Sequence, residues 1–373
     1  MIGCSVAFHL ALEGASVLLL ERDDLASAAS GAAAGMLTPL GEATGPGPSL
    51  RLRLAALRGF DPLCADLRER SGLDPQLVRS GALRVALSES EAEELHARVR
   101  AVEVDAAGEL EWLAPDAARA LESGLTVDLH GAVWSANESH VLAPVLTRAY
   151  ATAAASLGAR IETGTPVTGL LGAGDRIAGV RTSAGDRTAG AVVVCAGAWS
   201  PACLTGLGEV ASGAAPVSAL PVTPVRGQIL ALAPRDTALR TIVWGTGAYL
   251  VPKRDGTVVV GATEERVGFD CRTTVLGVRS LLDAAPRLVP SLASATFRGA
   301  WAGLRPGSPD HLPALGPWPG ARGLFVAAGH HRSGVLLSDT TGQLVADLVR
   351  GKALTGDACA LALARFAAPQ PIG

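Results

Sequence analysis

Apolar positions along this chain recur with two different periods. Helical spacing runs from Cys4 to Glu13, Pro48 to Ser71, Glu89 to Ala106, Val141 to Leu157, Thr273 to Leu288 and Val335 to Val349. The Glu89 segment is charged on one face and reads as a surface helix. Leu113-Ala114-Pro115-Asp116 opens a further short helix, with Pro and Asp in its first turn. Alternation or short apolar runs predict strands at Ala15–Leu20, Gly81–Leu87, Val127–Trp134, Leu220–Leu232, Tyr249–Pro252, Thr257–Ala262, Phe297–Leu304 and Gly323–Gly329. Val167–Leu171, Ile177–Thr182 and Ala191–Cys195 read as a three-stranded meander joined by Gly-Asp turns. Gly172-x-Gly174 is a hairpin turn here, because no helix follows it.

The two ends of the chain share one logic. Near the start, a helix, Gly14, an apolar strand and Glu21 form the later part of a dinucleotide-binding βαβ unit. Gly3 stands where the third glycine of that fingerprint falls, and Glu21 where the ribose-binding acid falls. The first strand and the first two glycines are missing from the residues given. A start assigned too late is the expected reason; an inactive relic without its cofactor is the alternative. Met1 to Leu20 is apolar, but His9 and Glu13 interrupt it and no basic segment precedes it, so neither a signal peptide nor a membrane span is expected. Near the other end, Gly323–Gly329 is a buried strand that leads through glycine turns into a helix. The Ala191–Cys195 strand ends in Ala196-Gly197, as strands do at the ligand edge of a doubly wound sheet. The C-terminal segment should therefore return to the first sheet, and two domains interleave.

Composition narrows the picture. The 373 residues are 49% hydrophobic and 18% charged, enough for a large core in one or two domains. A net charge of −3 without a basic run argues against nucleic acid as a partner. The six cysteines are scattered, without metal-ligand spacing, and read as buried thiols of a reducing cytosol, with no metal. The small residues from Leu25 to Leu37 either let backbone approach a ligand closely or pack as a helix on another helix.

Four stretches carry a resemblance: Gly31–Leu37; Tyr249-Leu250-Val251-Pro252 with Val258–Thr263; Trp301–Asp310; and Gly329-His330-His331-Arg332-Ser333-Gly334 with Leu336 and Thr341-Gly342. In this order and spacing the chain resembles the FAD-dependent amine and amino-acid oxidases of the D-amino-acid oxidase superfamily, and within it the glycine oxidases of thiamine biosynthesis. The resemblance implies an α/β fold: an FAD-binding Rossmann-like domain interleaved with an α+β substrate domain on a mostly antiparallel sheet. Residues 1–80, 140–212 and 300–373 would form the first, lacking its first strand, and 81–139 and 213–299 the second.

The same resemblance implies a site. Ile2, Gly3, Glu21, Arg22, Ala29, Ser30, Ala34, Gly35, Met36, Val167, Ala196 and Gly197 would contact FAD, as would His330, His331, Arg332, Ser333, Gly334, Val335 and Leu336. Arg305 would bind the substrate carboxylate, bordered by Tyr249 and Arg332. A guanidinium fork suits a planar carboxylate. Amine oxidation then needs hydride transfer to the flavin N5 and no general base, and none is assigned; His330 and His331 are read as backbone or packing residues. The implied reaction converts glycine, O2 and water to glyoxylate, ammonia and peroxide through an imine. Sarcosine oxidase or D-amino-acid dehydrogenase is the alternative within the superfamily. The cysteine of covalent-flavin relatives is absent between Arg305 and Gly334, which implies noncovalent FAD. A cytoplasmic location, no membrane partner and a homotetramer are also implied.

Overall fold

In the computed structural model, which describes residues 1–366 apart from 42, 44, 212, 213, 215, 216 and 236–238, the apolar runs sort into two sheet systems. The 212/213 domain boundary expected from the sequence lies outside the described residues.

The first system is parallel and lies beside helices. Leu18–Leu20 pairs parallel with Arg160–Glu162, and Val192–Val194 pairs parallel with Leu324–Ala328. Ala314–Pro317 adds an antiparallel edge to the latter. Helix Ile2–Leu12 packs against helices Ala143–Ser156 and Ser338–Val349. Phe8, Tyr150, Leu146 and Phe60 fill this core, each essentially inaccessible. Gly342 permits the close helix crossing: a Cβ there would lie 2.2 Å from the Ser5 Oγ, which itself donates to the Ser338 carbonyl. Among the described residues Leu18–Leu20 pairs only with Arg160–Glu162, and Val192–Val194 only with Leu324–Ala328.

The second system is an eight-stranded sheet. Its order is Thr296–Gly307, Thr223–Ala233, Val258–Gly261, Ala248–Pro252, Ile242–Gly245, Ala82–Ala86, Gly131–Ser135 and Glu111–Leu113. All pairs are antiparallel except Ile242–Gly245 with Ala82–Ala86. Strand side chains alternate between faces. Leu230, Leu250 and Val260 therefore pack on one face against Leu281, Ala285 and Leu288 of helix Val275–Leu288. Their neighbours Ile229, Tyr249, Val251 and Val259 group on the other face with Trp244 and Met36. The chain is thus an α/β protein in which a Rossmann-like region meets a mostly antiparallel sheet.

Several sequence expectations change. The Pro48–Ser71 segment is two helices, Pro48–Arg58 and Phe60–Ser71. Pro62 lacks an N–H and its ring would strike the Arg58 carbonyl, so the helix restarts at Phe60. The strand expected over Val127–Trp134 begins only at Gly131, and Val127 is 80% exposed. The third meander strand is Gly185–Thr188, whose polar Asp186 and Arg187 hide it from an apolar count. Val192–Val194 instead leaves the meander for the parallel sheet. Cys271 and Cys359 are exposed and Cys195 and Cys203 half-buried, so only Cys4 and Cys64 are buried thiols. Ile242–Gly245 and Ala314–Pro317 were not anticipated. No helix among the described residues is long and apolar enough to cross a membrane.

Candidate active site

A cavity of about 1490 Å³ runs between the two sheet systems. Every residue that the sequence nominated for cofactor or substrate lines it. Its lining includes the Leu18–Leu20 and Val192–Val194 strands together with residues of the antiparallel sheet.

At one end lie Glu21, Arg22 and Trp199. Glu21 follows the Leu18–Leu20 strand, and its carboxylate accepts from the Asp23 amide at 3.1 Å. The Arg22 guanidinium lies 4.8 Å over the Trp199 ring. Midway, the first turn of helix Ile2–Leu12 faces the cavity with no side-chain cap. Its leading N–H groups have no intrahelical acceptor, which favours an anion there. Opposite, Ala29–Ala32 forms one helical turn, and Gly35 takes φ +82° before the short Met36–Leu37 strand. So the small-residue run contains one helical turn, and its Gly35 backbone lies too close to Val141 to admit a side chain.

At the other end the sheet supplies Arg305 and Tyr249. Arg305 sits on the long Thr296–Gly307 strand, beside Thr223–Ala233. Gly227 makes room for it: a Cβ at Gly227 would lie 2.4 Å from both terminal nitrogens of Arg305. Gly261 does the same for Tyr249, its direct cross-strand partner, with 2.4 Å to the phenol oxygen. The Arg305 Nη1 donates to the Thr263 carbonyl at 3.1 Å. Among the described residues no carboxylate pairs with Arg305, so a half-buried cation faces the cavity with only neutral partners. Arg332 differs: it lies 3.7 Å from Glu264 and 5.6 Å over Trp244, whose ring packs on Tyr249.

The histidines fit supporting roles. His330 is buried, and burial pushes its imidazole down to about 3, so it is neutral at physiological pH. Its Nε2 meets the Thr341 hydroxyl at 3.0 Å. The His331 Nδ1 lies 3.1 Å from that of His311, and the His331 amide donates to the Pro306 carbonyl. Burial also pushes the cavity-lining thiols of Cys4 and Cys195 upward, Cys195 to about 12, so neither is a ready nucleophile. No group of His, Cys, Asp and Glu among the described residues could hold a metal ion.

Gly227, Gly261, Trp199 and Trp244 were missed in the sequence. The glycines carried a usable signal, since glycine inside a strand often marks close approach by another group. The tryptophans carried none, because their partners are distant in sequence. Gly227→Ala should push the Arg305 guanidinium aside. A raised KM for the substrate is expected, about tenfold or more, with little change in melting temperature. An unchanged KM would show that Arg305 does not depend on Gly227.

A Rossmann-like region meeting an antiparallel sheet across such a cavity is the build of a dinucleotide-dependent oxidoreductase. The chain belongs to the FAD dependent oxidoreductase family, whose model matches residues 1–348. It is 36% identical over 371 residues to the glycine oxidase of Geobacillus kaustophilus, covering 98% of this chain and 94% of that one. The crystal structure of glycine oxidase from that organism superposes with a TM-score of 0.89, over 98% of this chain and 96% of the other. Glycine oxidase from Bacillus cereus gives 0.87 at 33% identity, over 96% and 94%. Iminodiacetate oxidase from Chelativorans sp. BNC1 gives 0.84 at 30% identity, over 95% and 94%. The cofactor is FAD, held noncovalently.

Proposed function

We propose that this protein oxidises glycine with O2 and water to glyoxylate, ammonia and hydrogen peroxide, for the thiazole branch of thiamine biosynthesis. The observation that carries the reading is Arg305: a half-buried guanidinium that lines the cavity with Tyr249 and has no carboxylate partner among the described residues. A buried charge calls for a partner of opposite sign, and an amino-acid carboxylate supplies one in fork geometry.

Bound FAD supplies the two-electron acceptor for the amine. The chain's own residues bind, orient and exclude water. Glu21 and Arg22 would hold the adenosine ribose, and the Val167 backbone the adenine part. Ile2 and Gly3, in the uncapped first turn, would hold the pyrophosphate. Ala29, Ser30, Ala34, Gly35, Met36, Ala196 and Gly197 would contact the rest of the cofactor, together with His330 to Leu336. Arg305 fixes the substrate carboxylate, while Tyr249 and Arg332 bound the space left for a side chain. The histidines move no proton in this reading, since His330 is neutral and tied to Thr341. The domain division 1–80, 140–212 and 300–373 against 81–139 and 213–299 belongs to the same proposal. The Thr296–Gly307 strand, which carries Arg305, crosses its last boundary.

Peroxide release from purified, FAD-supplemented protein tests the reading. Glycine should give oxygen-dependent peroxide at a higher kcat/KM than sarcosine or D-alanine. Equal or faster turnover of sarcosine would overturn the glycine assignment in favour of a secondary-amine oxidase.

A further inference from the structure

The turn after the Ala248–Pro252 strand places Lys253 behind the cavity wall. Its Nζ donates to the Ala34 carbonyl at 2.6 Å and to the Val141 carbonyl at 3.2 Å. These carbonyls lie on neighbouring segments. Met36–Leu37 pairs antiparallel with Ser139–His140, and the Val141 amide donates to the Gly35 carbonyl at 2.9 Å. Gly35 is the residue between the ladder and the clamped Ala34, and its Cα faces the Val141 oxygen too closely for any Cβ. Ala34, Gly35 and Met36 all line the cavity. The strand that ends at Lys253 carries Tyr249.

We propose that Lys253 is a positioning residue, whose ammonium locks the Ala34–Met36 segment against the flavin and couples it to the strand bearing Tyr249. The proposal rests on the reading that Ala34–Met36 lies along the cofactor. The surrounding charges fit a backbone clamp. Among the described residues no carboxylate lies within ion-pair distance of the Lys253 Nζ. Asp255, on the same turn, is turned to the amide and hydroxyl of Thr257. Arg254 points away to Asp74 at 3.0 Å and to the Leu77 carbonyl. His140, on the ladder strand, is buried and pushed down to about 3 by that burial, so it is neutral. The ammonium is thus satisfied by carbonyls alone, and the bond strength depends on its charge.

That charge is conditional. Burial pushes Lys253 down to about 8. The charged clamp is complete below that pH and is lost as pH rises through it. A charge-assisted hydrogen bond is roughly twice as strong as a neutral one, so the segment loosens on the alkaline side.

The test uses FAD-loaded wild type, Lys253→Met and Lys253→Arg. The visible flavin spectrum is followed from about pH 6 to 10, together with FAD release and the kcat and KM for glycine. In wild type the spectrum should change with a midpoint near 8. Lys253→Met should abolish that change, weaken FAD about tenfold, and lower kcat with KM held within about twofold. Lys253→Arg should restore FAD affinity and move the midpoint out of range, since guanidinium stays charged. A methionine variant with wild-type FAD affinity, kcat and pH response overturns the proposal. If that variant does not fold, an arginine variant with an unshifted midpoint overturns it instead. The spectrum needs no turnover, so a protein that binds FAD but ignores glycine disproves the substrate reading separately.

Discussion

Arg305→Leu should lower kcat/KM for glycine by about 10²- to 10³-fold while leaving FAD bound. Removing one partner of a desolvated charge pair typically costs 2–5 kcal/mol, and each 1.4 kcal/mol is about tenfold. The substrate carboxylate would then enter the cavity unpaired. Leucine keeps part of the aliphatic stem and loses the guanidinium that lies over Gly227. Arg305→Lys keeps the charge and loses the fork, and should fall between leucine and wild type. Steady-state peroxide formation gives the number, and the flavin spectrum of each variant controls for cofactor loss. Full activity in Arg305→Leu would remove the residue from the substrate site.

The second large effect is expected at Gly35. It takes φ +82°, and a Cβ built there lies 2.0 Å from the Val141 carbonyl oxygen. Alanine in the left-handed region alone costs about 1–2 kcal/mol. The contact is with backbone, which cannot swing away as a side chain can, so the ladder between Met36–Leu37 and Ser139–His140 must open as well. A total loss of about 2–4 kcal/mol is expected for Gly35→Ala, together with FAD affinity weakened about tenfold or more. Thermal melting of the apoprotein separates the folding loss from the cofactor loss, which a fluorescence titration with FAD measures. An unshifted melting curve would mean that the segment can adjust without strain. The contrast with Gly227→Ala is informative. There the added methyl meets the mobile end of a side chain, so function should suffer more than stability.

Much of the site was legible because its residues are clustered in short runs. Gly329–Gly334 and Trp301–Asp310 keep several cavity residues adjacent in sequence, so their spacing survives folding. Strands that are short continuous apolar runs, such as Tyr249–Pro252 and Val258–Gly261, were found within a residue or two. Gly185–Thr188 was hidden because its residues face solvent and leave no apolar signature. Ile242–Gly245 was hidden because its identity depends on the parallel pairing with Ala82–Ala86, about 160 residues earlier. Lys253 carries no local signal in the sequence, where it stands beside Arg254 and Asp255. Only the folded chain brings its ammonium to two carbonyls more than a hundred positions away.

The sequence by itself determined most of the local elements and the Rossmann-like opening, through periodicity and residues near one another along the chain. Its resemblance to a known family supplied the family and the nomination of Arg305. The tertiary structure alone decided the order of the eight strands, the absence of a carboxylate beside Arg305 among the described residues, and the glycines that admit Arg305 and Tyr249. The physical reason is the same in each case. Strand order, charge compensation and steric clearance are relations between residues far apart in sequence, and no local pattern encodes the distance between them.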